Sequence, residues 1–174
     1  MPDANALRAA VRDVPDFPKP GIIFKDITPI LADGELFQTS IRLLAETARD
    51  ASIDKVVGID ARGFIFAAAV ADRLKAGFIP IRKKGKLPWK TREASYTLEY
   101  GESTVEIHRD AVHPGEKILL IDDLLATGGT AAAAVRLLDT LQAEIVSVSF
   151  LIELTFLNGR AKIGPHPTTS VLTY

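Results

Sequence analysis

Residues 118–130 read ILLIDDLLATGGT, an apolar run, two adjacent carboxylates and a small-residue turn in immediate succession. Ile118, Leu119, Leu120 and Ile121 include no turn former and are expected to make a buried parallel strand. Asp122 and Asp123 then stand at its exit. Ala126, Thr127, Gly128, Gly129 and Thr130 follow, and glycine tolerates backbone conformations that aim several N–H groups into one concavity, a way of holding an anion. The alanine-rich run 131–141 reads as a helix whose positive end adds ~0.3–1 kcal/mol of attraction for a phosphate. Thr127 and Thr130 bring hydroxyl donors. A ribose 5-phosphate satisfies both halves of the stretch: its phosphate fits the turn, and its 2′ and 3′ hydroxyls donate to Asp122 and Asp123. A strand ending in a solvated acidic turn would use the same residue types. Here, however, carboxylates and turn meet at the carboxyl end of a strand, where open α/β sheets bind ligands.

Other residues carry chemistry of the same kind. Asp60, Ala61, Arg62 and Gly63 join an expected strand to the following helix, which sets Arg62 near a second helix N-terminus. An arginine there offers a planar fork of donors to a phosphate, or makes an ordinary ion pair with its neighbouring aspartate. Arg82, Lys83, Lys84 and Lys86 form a basic cluster, read either as a solvated charge run or as an anion contact. Phe24, in a proline- and glycine-bounded loop, is either a satellite core residue or a platform for a planar ligand. Glu99, between Leu98 and Tyr100, would by itself be an exposed carboxylate. His108, His113 and His166 lack metal-ligand spacing. The sequence has no G-x-G-x-x-G, Walker A or H-E-x-x-H pattern, which leaves dinucleotide, P-loop and zincin readings without support.

The apolar run, paired aspartates and A-T-G-G-T resemble the phosphoribosyl pyrophosphate signature of type I phosphoribosyltransferases. PDFPKPGIIFKDITPIL (15–31), GIDARGFIF (58–66), IRKKGKLP (81–88), ASYTLEYG (94–101) and LQAEIVSVSFLIEL (141–154) resemble, in the same order, the adenine-specific members of that family. The resemblance implies transfer of phosphoribose from 5-phosphoribosyl 1-pyrophosphate to adenine, giving AMP and pyrophosphate in purine salvage. It implies that Asp122, Asp123, Ala126, Thr127, Gly128, Gly129 and Thr130 hold the ribose phosphate, and that Arg62, Gly63, Arg82, Lys83, Lys86 and Tyr100 serve the pyrophosphate. Phe24 matches the aromatic that stacks on adenine and Leu154 the apolar residue on the other face, while backbone near Ile23 and Lys25 reads the base edge. Lys25 stands where the family often has arginine. Glu99 matches the glutamate that approaches adenine N7 when a flap closes, and closure would desolvate it and adjust its proton affinity. The resemblance also implies Mg²⁺ held mainly by the substrate, with no direct protein ligand, and a homodimer in which basic residues of the 82–86 region reach the neighbouring site. Members specific for 6-oxopurines (hypoxanthine, guanine, xanthine) typically carry an aspartate where Ala126 stands, and they are the rival reading. A regulator that senses phosphoribosyl pyrophosphate and binds nucleic acid is the remote one; the fourteen residues before Pro15 are too few for a winged-helix module.

These residues need a scaffold. Leu7, Ala10, Val11 and Val14 recur at helical spacing, predicting a first helix as part of a small N-terminal hood, and Pro15, Pro18, Pro20 and Gly21 then predict an irregular segment. Asp33 is expected to cap a helix carrying Leu36, Phe37, Ile41, Leu44 and Ala48 on one face. Apolar runs at 55–60, 78–82, 118–121 and 145–152 alternate with helical patterns at 64–74 and 131–141. The expected fold class is therefore α/β, a doubly wound, mainly parallel sheet flanked by helices. Tyr96, Leu98 and Tyr100 alternate, as do Val105 and Ile107, with Gly101 and Glu102 between them. That pattern predicts an inserted β-hairpin, a flexible flap over 84–106 within one domain spanning 1–174. The C-terminal GPHPTTSVLTY carries no specific signal.

Composition sets the bounds. With 47% hydrophobic and 25% charged residues among 174, the chain can bury a core and is not of a disordered class. A net charge of −1 leaves no global footprint for nucleic acid. The absence of cysteine removes disulfides, thiolate metal sites and a cysteine nucleophile. No run approaches the ~20 apolar residues of a membrane span, and the N-terminus does not read as a secretory signal. A soluble, cytoplasmic protein without membrane or nucleic-acid partners is expected.

Overall fold

The computed structural model describes residues 3–49, 51–97 and 101–174. The chain divides into two compact units, Met1–Leu43 and Leu44–Tyr174.

In the first unit, helix α1 (Ala4–Ala10) starts at Asp3, whose carboxylate accepts from the N–H groups of Asn5 and Ala6 at 2.9 and 3.1 Å. The helix ends earlier than its apolar spacing predicts. Val11 is already extended, and Val14 lies in strand β1 (Arg12–Pro15), antiparallel to β2 (Ile23–Asp26), opposite Phe24. Pro15 accounts for Val14, because the residue before proline is driven out of the helical region and into extended backbone. The same pairing corrects the reading of Phe24, which sits on a strand and not in a loop. Helix α2 (Thr28–Ala32) follows. Helix α3 (Gly34–Glu46) then begins where Asp33 accepts from the N–H groups of Glu35 and Leu36, both at 2.9 Å, as its type and position predict.

The second unit is built on β3 (Lys55–Ile59), α4 (Gly63–Leu74), β4 (Gly77–Lys83), β5 (Thr91–Thr97), β6 (Glu102–His108), β7 (Lys117–Leu125), α5 (Gly129–Thr140), β8 (Glu144–Glu153) and β9 (Thr168–Thr173). Among the described residues these strands form one sheet in the order β5-β6-β4-β3-β7-β8-β9. The segment from β4 to β9 is parallel throughout, and the β5–β6 hairpin joins antiparallel at the β4 edge, Arg82 opposite Glu106. This is the mainly parallel α/β sheet with an inserted hairpin that the sequence pattern predicts. Ile118, Leu119, Leu120 and Ile121 are fully buried, as a central strand covered on both faces requires. Ala133 and Ala134 of α5 are also fully buried, and they share one core with Leu120, Leu137, Leu138, Phe150 and Ile163. Strand β9 has no counterpart in the sequence reading; it adds to β8 with Val148 opposite Thr168 and Glu153 opposite Thr173. Among the described residues no helix is long and apolar enough to cross a membrane.

The hairpin is fastened at its base by a buried carboxylate. Glu106, 3% exposed, accepts from the backbone N–H groups of Lys86 at 2.9 Å and Leu87 at 2.8 Å. Burial opposes its charge, but the N–H groups of Leu87, Gly85 and Lys86 and the Thr91 hydroxyl outweigh it and hold the carboxyl below its ordinary value of 4.5. The stability it contributes is therefore present above that value and is lost as pH falls through the lower native one. Glu106→Ala is expected to cost about 1–3 kcal/mol at neutral pH. Urea unfolding should show the deficit at pH 7 and a smaller one below pH 4; a deficit that grows on acidification would contradict the assignment.

Candidate active site

The sheet order reverses between β3 and β7. The chain leaves β3 through α4 toward β4 on one side, and leaves β7 through α5 toward β8 on the other. A crevice opens at the carboxyl ends of two strands whose connections diverge in this way. Asp60, Ala61 and Arg62 leave β3 at that edge, and the peptide between Asp60 and Ala61 is cis. Strand β7 runs on to Leu125, so Asp122 and Asp123 lie within its last four residues and not beyond its exit; the turn proper is Ala126, Thr127 and Gly128.

Helix α5 opens at Gly129 with Gly128 at its cap position in a left-handed conformation, φ 80° and ψ 0°. No side-chain hydrogen bond caps it, so its first N–H groups face a concavity of about 80 Å³ lined by Asp122 and residues 124–131. Uncapped N–H groups at a helix start suit an anion. The turn is packed hard from behind. A Cβ at Gly128 would fall 2.8 Å from the carbonyl carbon of Gly159 and closer still to its oxygen.

A second cavity, about 300 Å³, adjoins the first and is lined by Asp60, Ala61, Arg62, Lys83, Tyr96, Asp122, Asp123, Leu124 and Thr130, with Val105. Burial, then the neighbouring charge of Asp123, pushes the Asp122 carboxyl well above its usual range. Asp123 is also raised by burial, against the opposing pull of Arg62, whose Nε stands 2.9 Å from Asp123 Oδ2. The Asp123 N–H donates to Asp122 Oδ1 at 2.9 Å. Gly63, at the start of α4, backs directly onto this pair; a Cβ there would lie 2.6 Å from Asp122 Oδ1. The arrangement offers acceptors to hydroxyl groups at one end and cations to an anion at the other.

Not every expected residue faces the crevice in the same way. Arg82 directs Nε to Asp60 Oδ2 at 3.2 Å and Nη1 to the Lys86 carbonyl at 3.2 Å. Lys86 itself is absent from the lining of both cavities, and Lys84 pairs with Glu93 at 2.7 Å. Leu154 follows β8, half-buried, its N–H bonded to the Leu125 carbonyl at 2.9 Å. Ile23, Phe24 and Lys25 share β2 in the first unit; the Phe24 ring meets Phe17 edge-on at 5.1 Å, and Lys25 Nζ stands 2.7 Å from Asp13 Oδ1. Glu99 and Tyr100 lie outside the described residues. Sequence reasoning missed Asp60 and Tyr96 as lining residues. Tyr96 packs so closely on Gly129 that a Cβ there would touch its ring at 3.0 Å, and Arg136 of α5 bonds the Ser95 carbonyl at 2.7 Å, which holds β5 beside the turn.

This geometry has close counterparts. A phosphoribosyl transferase domain matches residues 26–166. An adenine phosphoribosyltransferase of Acidothermus cellulolyticus is 53% identical over 99% of either chain. The chain belongs to the adenine phosphoribosyltransferase family. Among solved structures, the family's Rhodothermus marinus enzyme superposes with a TM-score of 0.93 at 50% identity, covering 98% of both chains. The Saccharomyces cerevisiae enzyme, complexed with D-2,5-dideoxy-2,5-imino-altritol 1,6-bisphosphate and adenine, superposes with a TM-score of 0.92 at 40% identity over 97% of each.

Proposed function

We propose that the chain converts adenine and 5-phosphoribosyl 1-pyrophosphate to AMP and pyrophosphate, as a cytoplasmic homodimer in purine salvage. The observation that carries this reading is the meeting, at one switch point, of an uncapped helix start with a carboxylate pair and an arginine. The 5′-phosphate occupies the turn of Ala126, Thr127, Gly128, Gly129 and Thr130. Asp122 and Asp123 accept from the ribose hydroxyls, and Arg62, Gly63 and Lys83 face the pyrophosphate. Arg82 acts one step back, through Asp60 and the Lys86 carbonyl; Tyr100 is assigned to the same anion, and Lys86, which lines neither cavity, to the neighbouring subunit's site.

The donor set fits Mg²⁺ as a substrate-borne ion: Asp122 and Asp123 line the same cavity as Arg62 and Lys83, and Mg²⁺ is commonly bound by one or two carboxylates together with substrate phosphates. When bound, it would neutralise the leaving pyrophosphate. Arg62 orients that group, and Asp122 and Asp123 lie beside the ribose as its anomeric carbon becomes oxocarbenium-like. For the base, the family resemblance assigns Phe24 and Leu154 to stacking on adenine, backbone at Ile23 and Lys25 to its edge, and Glu99 to the N7 proton. The 84–106 hairpin excludes water from the cation.

Ala126 argues against a 6-oxopurine substrate, because the acid of those enzymes is replaced by a methyl group there. The test is nucleotide formation from phosphoribosyl pyrophosphate and Mg²⁺ with adenine, hypoxanthine, guanine and uracil in parallel. Adenine alone is expected to react, and Glu99→Gln to slow it by about 10²-fold, within the range of general acid–base contributions. Turnover of a 6-oxopurine would overturn the base-pocket reading; unchanged rates in Glu99→Gln would remove that residue from proton transfer.

A further inference from the structure

The back wall of the phosphate turn is a second turn, residues 158–162, and the two meet backbone to backbone. A Cβ on Gly159 would overlap the Ala126 carbonyl oxygen and lie 2.9 Å from the Gly128 nitrogen; a Cβ on Gly128 would overlap Gly159 in return. Neither turn can shift toward the other, and the shape of the phosphate turn depends on where the second is held.

That second turn has little regular structure of its own. It follows the short 3₁₀ segment Thr155–Leu157 and consists of Asn158, in a left-handed conformation, and a second such segment, Gly159–Lys162. Ile163, 2% exposed, anchors its far end in the core. Its near end is held by Arg160. The guanidinium clamps Glu153 at two points, Nε to Oε1 at 3.0 Å and Nη2 to Oε2 at 2.5 Å, while Nη1 donates to the Thr168 carbonyl. Ser170 donates to Glu153 Oε2 at 2.6 Å. Glu153 is 5% exposed, so the carboxylate is a fixed point, and the planar fork of arginine matches it where an ammonium would not. Three strands or turns are joined in this way: the end of β8, strand β9 and the 158–162 turn.

We infer that Arg160 is a positioning residue for the phosphoribosyl site: by its two-point grip on Glu153 it presses Gly159 against Gly128 and so fixes the turn that receives the 5′-phosphate. Arg160 touches no substrate in this account. The inference rests on the functional reading above, and it adds a residue that lies outside the signature motif.

The test compares the wild type with Arg160→Lys, which keeps the charge but loses the fork, and with Gly159→Ala, which forces the two turns apart. Calorimetric binding of ribose 5-phosphate, KM for phosphoribosyl pyrophosphate and for adenine, and a thermal melt are measured on each. Arg160→Lys is expected to weaken ribose 5-phosphate binding and raise KM for phosphoribosyl pyrophosphate by tenfold or more, with KM for adenine within twofold. Gly159→Ala, if it folds, should do at least as much. If wild type binds and Arg160→Lys melts earlier yet binds ribose 5-phosphate equally well, the residue is merely structural and the inference falls. Equal rises in both KM values would overturn it as well. A wild type that neither binds ribose 5-phosphate nor turns over would defeat the functional reading itself.

Discussion

Gly128→Ala is expected to eliminate useful turnover, lowering kcat/KM for phosphoribosyl pyrophosphate by at least ~10²-fold, and to destabilise the fold by about 2–4 kcal/mol. Two independent penalties act at this position. The left-handed backbone at φ 80° costs a non-glycine residue roughly 1–2 kcal/mol by itself. The added methyl then meets backbone, not a side chain that could turn away: the carbonyl of Gly159 and its Cα at 3.0 Å. Relief requires the phosphate turn to move outward, into the space where the anion sits. Catalysis should therefore suffer more than stability, because a displacement on the order of 1 Å in a positioning element can cost ~10² in rate. Urea unfolding and steady-state kinetics on the purified variant check both halves. A variant that folds less stably but retains wild-type KM for phosphoribosyl pyrophosphate would show that the turn does not hold the phosphate.

The contact that makes Gly128 so sensitive is also one that no local pattern announces. Strand β7, the glycine turn and α5 could be read in order because each leaves a contiguous signal: an apolar run, a glycine pair, an alanine-rich stretch. Asp33 as a cap was legible for the same reason. Phe24 was misplaced because its strand exists only through pairing with residues 12–15 across a segment holding Pro18 and Pro20, which erases periodicity. Strand β9 escaped because TTSVLT is a strand only beside β8. Arg82 looked like a free anion contact, yet its guanidinium is occupied by Asp60, 22 residues away, and the Gly159 and Arg160 turn approaches the signature from more than thirty residues downstream. What sequence hid was in each case a partner distant along the chain. Residue types proposed to meet the ligand were visible; those that hold them in place were not.

Asp122→Asn should separate function from stability in opposite directions. The Asp122 carboxyl is pushed well above its ordinary value of 3.8, by burial first and then by the charge of Asp123. A raised native value means that the fold binds this proton more tightly than the unfolded chain does. Its contribution to stability is full below the unfolded value and is lost as pH rises toward and through the native one, so at neutral pH the group costs the empty protein stability. Asparagine carries no charge, and its side-chain oxygen can still accept from the Asp123 N–H that Asp122 accepts now at 2.9 Å. The variant is therefore expected to melt higher than wild type at pH 7, with the gain vanishing below about pH 4. It should also lose about 10²-fold or more in kcat/KM, because hydrogen bonds to a charged acceptor are worth roughly 1.5–3 kcal/mol each. Asp123→Asn provides a graded contrast: its carboxyl is raised too, but against the pull of Arg62 at 2.9 Å, so its gain in melting temperature should be smaller. Thermal melts at pH 7 and pH 4 on both variants, with and without ribose 5-phosphate, decide the matter. A lower melting temperature for Asp122→Asn at pH 7 would refute the electrostatic account. Equal stabilisation of wild type and variant by ribose 5-phosphate would refute the role in binding, because ribose hydroxyls should gain more from a carboxylate at this position than from an amide oxygen.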